Sequence, residues 1–201
     1  MALDNMLESY KAGTFFVKPE DEDCHTAIEN ALVALTGDLG KKIHTGRSRN
    51  DQSLTMIRMF MKESLDECVN EISNLCDVIK NQVENHKNEL FIGYSHTQQA
   101  MPITIGHYFS SHIESLWDDK KHMSWVSDFV NQCPLGTGAG FGSPLDINRD
   151  TISSNLKFNK AQNNSLYCQN SRGKFELLYI QALSQVMLSL QRMATDMIFY
   201  T

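Results

Sequence analysis

Residues 47–92 contain neither glycine nor proline, the longest such stretch in the chain. Those two residues are the main local breakers of regular structure, so their absence permits one uninterrupted helix. Leu65, Cys68, Ile72, Leu75, Ile79 and Val83 recur at helical spacing, which predicts a single buried stripe. Asp51, near the start, suits the positive end of a helix dipole. A helix over most of this stretch would be roughly 50–60 Å long. That exceeds an ordinary globular helix and implies a bundle of long helices.

A second helix is predicted to start near Pro102, which a first helical turn tolerates, and to run towards Asn131 before Pro134. Ile105, Phe109, His112 and Leu116 would share a face, and Gly106 suits a close helix contact. The spacing of Phe175, Leu178, Ile180, Leu183, Met187, Leu190, Ala194 and Met197 predicts a third helix from about Lys174 to Tyr200. Val186, Met193 and Ile198 extend its apolar surface round much of the circumference. That fits a place inside a multi-helix or oligomeric core. Asp21-Glu22-Asp23 precedes a shorter helix through Ile28, Ala31, Leu32 and Leu35, ending near Gly37 or Gly40. Thr14-Phe15-Phe16-Val17 is the best candidate for a short strand. The predicted class is all-α, with a mostly helical N-terminal segment, 1–49, and a long-helix bundle, 50–201.

A net charge of −6 argues against a nucleic-acid partner, which calls for a basic face. No apolar run approaches the roughly 18 residues of a membrane helix. The first residues show no basic segment followed by an apolar one, so no secretory signal is expected and the expected location is cytoplasmic. Cys24, Cys68, Cys76, Cys133 and Cys168 are odd in number and scattered, with no C-x-x-C pair. They read as reduced, mostly buried thiols rather than a disulfide framework or zinc site.

Chemistry concentrates in His44-Thr45-Gly46-Arg47-Ser48-Arg49-Asn50-Asp51-Gln52, just ahead of the long helix. Arginine can hold a carboxylate bidentately, and an asparagine amide fixes orientation with a donor and an acceptor. The run reads as an anion site; a plain polar turn is the alternative. Gly136-Thr137-Gly138-Ala139-Gly140-Phe141-Gly142 is glycine-rich but is not a nucleotide loop. It lacks the G-x-G-x-x-G order, a preceding strand and the Gly-Lys-Ser/Thr of a phosphate loop. A flexible connection between long helices is expected there, with exposed backbone N–H groups able to meet a carboxylate.

HTGRSRNDQ closely resembles a signature of the argininosuccinate lyases. Two further blocks match in the same order. Gly93-Tyr94-Ser95-His96-Thr97-Gln98-Gln99-Ala100-Met101-Pro102 resembles that family's GYTHLQRAQP segment, and Pro134-Leu135-Gly136 through Arg149-Asp150 resembles its PLGSGA segment and the Arg-Glu that follows. The likeness runs from about Asp21 to Thr201. It implies a helical protomer of the fumarase and aspartase superfamily, assembled as a homotetramer whose active sites draw on three subunits. It also implies reversible β-elimination of argininosuccinate to arginine and fumarate, without a metal or organic cofactor.

On the matching positions, His96 is the implied catalytic residue, either taking the carbon proton itself or supporting another group that does. Asn50 and Ser95 are the implied substrate-binding residues, with Ser95 replacing the family's usual threonine but keeping its hydroxyl. Arg47, Ser48 and Arg49 would shape the carboxylate site, or one of them would pair with a structural acid. His44 would cap or orient its loop, His25 would border the site, and His107 would be a packing residue. His96 is expected at the start of a helix. The family's mobile GSSxMPxKxNP loop, with its catalytic serine and substrate-binding lysine, has no counterpart here. A downstream glutamate and an N-terminal serine are likewise missing. The chain is therefore expected to be part of such an enzyme and inactive by itself. Gly173 and Met101 stand where the family usually has Asp and often has Gln. The competing readings are a non-catalytic structural protein of the same fold, as in the related lens crystallins, and another superfamily enzyme such as adenylosuccinate lyase.

Overall fold

A computed structural model describes residues 1–201. Eight α-helices dominate it: α1 (Ala2–Lys11), α2 (Cys24–Thr36), α3 (Asp38–Lys41), α4 (Arg49–His86), α5 (Ile105–Val130), α6 (Arg149–Asn155), α7 (Ser165–Asn170) and α8 (Lys174–Tyr200). The glycine-free stretch forms α4, whose 38 residues span roughly 57 Å. Its start is fixed locally. The Ser48 hydroxyl accepts from the Asn50 N–H, and Asp51 accepts from the Ser48 N–H at 2.9 Å. This reciprocal cap satisfies backbone donors that the first turn leaves free.

Helix α5 runs back along α4, and α8 runs back along α5. Gly106 at the start of α5 lies against Lys87 just past the end of α4, whereas Ser127 near its other end donates to Asp66. A Cβ on Gly106 would come within 2.7 Å of the Lys87 Cα, so glycine there permits the close approach. Met61, Leu65, Ile72, Cys76 and Ile79 of α4 pack with Ile113, Leu116, Met123, Val126 and Val130 of α5 and with Phe175 and Ala182 of α8. Cys68, Leu75 and Val83 complete the anticipated stripe at its half-buried margin. Burying one leucine or isoleucine here contributes about 1.5–3 kcal/mol. The opposite face of α8 stays uncovered in this chain, exposing Leu177, Ile180, Met187, Leu188, Met197 and Ile198.

Four strands depart from a purely helical reading. β1 (Leu90–Ser95) and β2 (Gln98–Thr104) form an antiparallel hairpin, and β3 (Gln132–Cys133) pairs in parallel with β4 (Lys160–Ala161). Pro102 therefore does not open the second helix; it lies in β2 opposite Ile92. A two-stranded ribbon has only edges, where a residue without an N–H is tolerated, and the residue before proline favours extended backbone. Helix α5 begins three residues later, capped by the Thr104 hydroxyl on the His107 N–H. Thr14–Val17 forms no strand. Thr14 and Phe15 both donate backbone N–H groups to the Ser9 carbonyl, wrapping the segment onto α1. With α1 and α2 it lines an apolar groove of about 630 Å³.

Candidate active site

The first motif turns into α4 through Gly46, in left-handed backbone at φ +68°. Asp51, fully buried, accepts three backbone N–H groups: Ser48 at 2.9 Å, Gly136 at 2.9 Å and Gly138 at 2.8 Å. Its charge is thus matched by fixed donors and by the helix dipole. The glycine-rich stretch is a mostly buried turn rather than a flexible connection, and those two N–H groups already hold an internal carboxylate.

The four neighbours of Asp51 face different partners. The Arg49 guanidinium pairs with Glu22, lies 3.6 Å from Asp23 and donates to the Thr26 hydroxyl at 2.7 Å. The Glu22 hydrogen bond pushes the Arg49 guanidinium above its usual range, and the Thr26 N–H holds the Asp23 carboxyl below its own. Arg49 is therefore the arginine paired with structural acids, joining α2 to α4. Arg47 makes no ion pair and donates only to the Ile43 carbonyl, at 3.3 Å. It lines two small adjoining cavities, of about 210 and 140 Å³, together with His25 and Gln52. The buried Gln52 Oε1 has no hydrogen-bond partner. Ser48 caps the helix, and Asn50 is exposed, its Nδ2 donating to the Ser48 Oγ at 3.4 Å.

The His25 Nε2 lies 3.4 Å from the Ser53 hydroxyl, and the His44 Nδ1 lies 3.2 Å from Glu29. His107 is exposed on α5 rather than packed. Placed in the first turn beyond the hairpin, it has no neighbouring element to cover it.

Ser95 and His96 lie at the tip of the hairpin, not at a helix start. Ser95 pairs with Gln98, so His96 and Thr97 form a two-residue turn at φ +54° and +60°. Both residues have left-handed backbone, which usually recruits Asn or Gly in such turns. The strain is on the order of 1–3 kcal/mol per residue. The His96 Nδ1 stands 2.9 Å from the Ser95 hydroxyl, and both side chains are exposed. Rings fix the hairpin to the bundle: Phe91 meets Tyr200 at 4.5 Å between centroids, and Tyr94 meets Phe199 at 5.1 Å.

The two groups lie at opposite ends of α4. Arg47, Ser48, Arg49 and Asn50 gather at its start. Ser95 and His96 follow its end, exposed at the tip of a hairpin whose Phe91 and Tyr94 pack on the last turn of α8. One chain does not bring them together.

Sequence reasoning missed a buried cation. Arg58 is 1% exposed, stacks on Phe175 at 3.3 Å and has no acidic partner in contact. It donates to the Val130 and Gln132 carbonyls, the Gln162 Oε1 and the Ser171 hydroxyl. Burial pulls its pKa down to about 10. Its position on the stripe that continues into Met61 and Leu65 was the available signal. Arg149 plays a similar part for the loops, donating to the Gln162 carbonyl at 2.6 Å and to the Leu135 carbonyl at 3.3 Å.

The site is thus carried by long antiparallel helices with polar motifs at their ends. The chain belongs to the Lyase family, whose model matches residues 1–201. Among curated relatives, it is 44% identical to an argininosuccinate lyase of Thermotoga neapolitana over 200 residues, 100% of this chain and 50% of that one. It is 37% identical to the argininosuccinate lyase of Parabacteroides distasonis, covering 96% and 44%. The chain spans about half the length of the curated relatives it matches. Among solved structures, an EDDS lyase in complex with formate superposes with a TM-score of 0.86 at 23% identity, covering 98% of this chain and 38% of that one. Class II fumarase from Schistosoma mansoni superposes at 0.72 with 16% identity, covering 85% and 42%. These two likenesses concern the fold alone. No helix is long and apolar enough to cross a membrane.

Proposed function

We propose that this chain supplies part of an argininosuccinate lyase, cleaving argininosuccinate reversibly to arginine and fumarate. In this reading Asn50, Ser48 and Arg47 offer hydrogen-bond donors to a substrate carboxylate, and Ser95 and His96 act in substrate binding and proton transfer. A base removes the proton from the carbon next to a carboxylate. The electron pair moves into that carboxylate, then forms the double bond of fumarate as the C–N bond breaks and the guanidino nitrogen is protonated. Fixed donors around the carboxylate stabilise the charge that develops on it. The supporting observation is the placement of Asn50 and His96 at opposite ends of α4, both exposed. A site that uses both needs more than one copy, in keeping with a homotetramer.

The test is release of fumarate from argininosuccinate, followed by ultraviolet absorbance. The purified chain alone is expected to be silent, with activity appearing when a chain carrying the downstream loop is added. Turnover by the chain alone would refute the assigned need for that loop. Silence in both cases would favour the second reading, a non-catalytic assembly protein, which the uncovered apolar face of α8 also supports.

A further inference from the structure

Arg172 lies 122 residues from Asn50 in sequence yet donates to it twice from Nη2, at 3.2 Å to the backbone carbonyl and 3.3 Å to the side-chain Oδ1. Arginine carries only donors, so the part of the Asn50 amide facing it must be the oxygen. The Nδ2 hydrogens are thereby turned away, towards the Ser48 Oγ. Arg172 is itself held. Its Nε donates to the Gln169 Oε1 at 3.3 Å, and the Gln169 Nε2 donates to the Gly138 carbonyl at 3.3 Å. The Gly138 N–H donates to Asp51, the residue bonded to Asn50, which closes the circuit. The Arg172 charge is not neutralised by an ion pair. Its neighbour is Gly173, in left-handed backbone at φ +81°, where the resembled family usually has an acid.

We propose that Arg172 is a positioning residue that sets which end of the Asn50 amide the site presents. With the oxygen engaged, Asn50 offers its N–H donors to a carboxylate. Without Arg172 the amide can rotate and present its oxygen, which repels a carboxylate. The proposal rests on the reading of Asn50 as a carboxylate-binding residue.

The experiment uses the full chain labelled with ¹⁵N-asparagine, in wild-type, Arg172→Ala and Arg172→Lys forms, with the Asn50 side-chain signals assigned through Asn50→Asp. Arg172→Ala is expected to move the Asn50 Nδ2 signals towards those of a free asparagine and to speed their exchange with water. The other asparagine signals should hold, which separates this effect from misfolding. Arg172→Lys should restore part of the shift by keeping a donor at the oxygen. Fumarate, added as the probe, should bind about tenfold more weakly to Arg172→Ala, the size of one charge-assisted hydrogen bond. Unchanged Asn50 amide signals in Arg172→Ala would overturn the proposal. If they shift as described while wild type binds no fumarate, the orienting role stands and the carboxylate-site reading fails.

Discussion

The two ends of α4 are built on different principles. At its start, buried polar groups are held by other buried groups of the same chain: Asp51 holds three N–H groups, and Arg58 reaches acceptors on four other residues, although its Nε has no partner. At its far end, Ser95 and His96 stand exposed on a strained two-residue turn, tied to the bundle through aromatic rings. Buried polar networks are costly when broken and specify geometry when whole. In the proposed reading, the Asn50 end is pre-formed within one chain, while the His96 end takes its final environment from another copy.

The largest expected effect is at Arg58. Arg58→Ala would strip partners from several buried acceptors and open a cavity against Phe175. The cost should be about 3–5 kcal/mol in urea unfolding. Asp51→Ala should follow at about 3 kcal/mol, because it leaves three backbone donors without an acceptor. Asp51→Asn should cost less, since one carbonyl oxygen remains. A loss below about 1 kcal/mol for either alanine variant would erase the distinction between the two ends.

His112 gives a pH-dependent test near the hairpin. Burial lowers its pKa below the ordinary imidazole value, against an opposing pull from Asp196, and its buried Nε2 has no partner. The unfolded chain therefore binds the proton more readily than the folded one. Stability should fall as pH drops through the ordinary range near 6.5 towards the lower folded value. His112→Gln should flatten that part of a melting-temperature profile, and an unchanged slope would contradict the assignment. At the hairpin tip, Thr97→Gly should relieve left-handed strain and stabilise by up to about 1 kcal/mol. His96→Ala should shift chemical denaturation by no more than about 0.5 kcal/mol, as expected for an exposed side chain.

Patterns carried within a single helix were legible in the sequence. The absence of breakers between Gly46 and Gly93 and the apolar spacings of α4 and α8 correspond to observed helices and packing faces. The hairpin was not legible. Its turn residues are His96 and Thr97, without the Asn-Gly or Asp-Gly pair that usually marks such a turn. Pro102 also suits a first helical turn, so the local signal favoured the wrong element. Two of the three partners of Asp51 lie 85 and 87 residues away, and no local pattern announces them. The same holds for Arg172, whose link to Asn50 exists only once α7 and α8 have folded against the start of α4.

The central proposal is that the Asn50 end of one copy meets the His96 end of another. The direct measurement is electron–electron spin resonance on a mixture of chains labelled at residue 50 and chains labelled at residue 96. A short distance between copies is expected, well under the roughly 57 Å spanned by α4 within one chain. A monomer, or an assembly that shows no such short distance, would contradict the account.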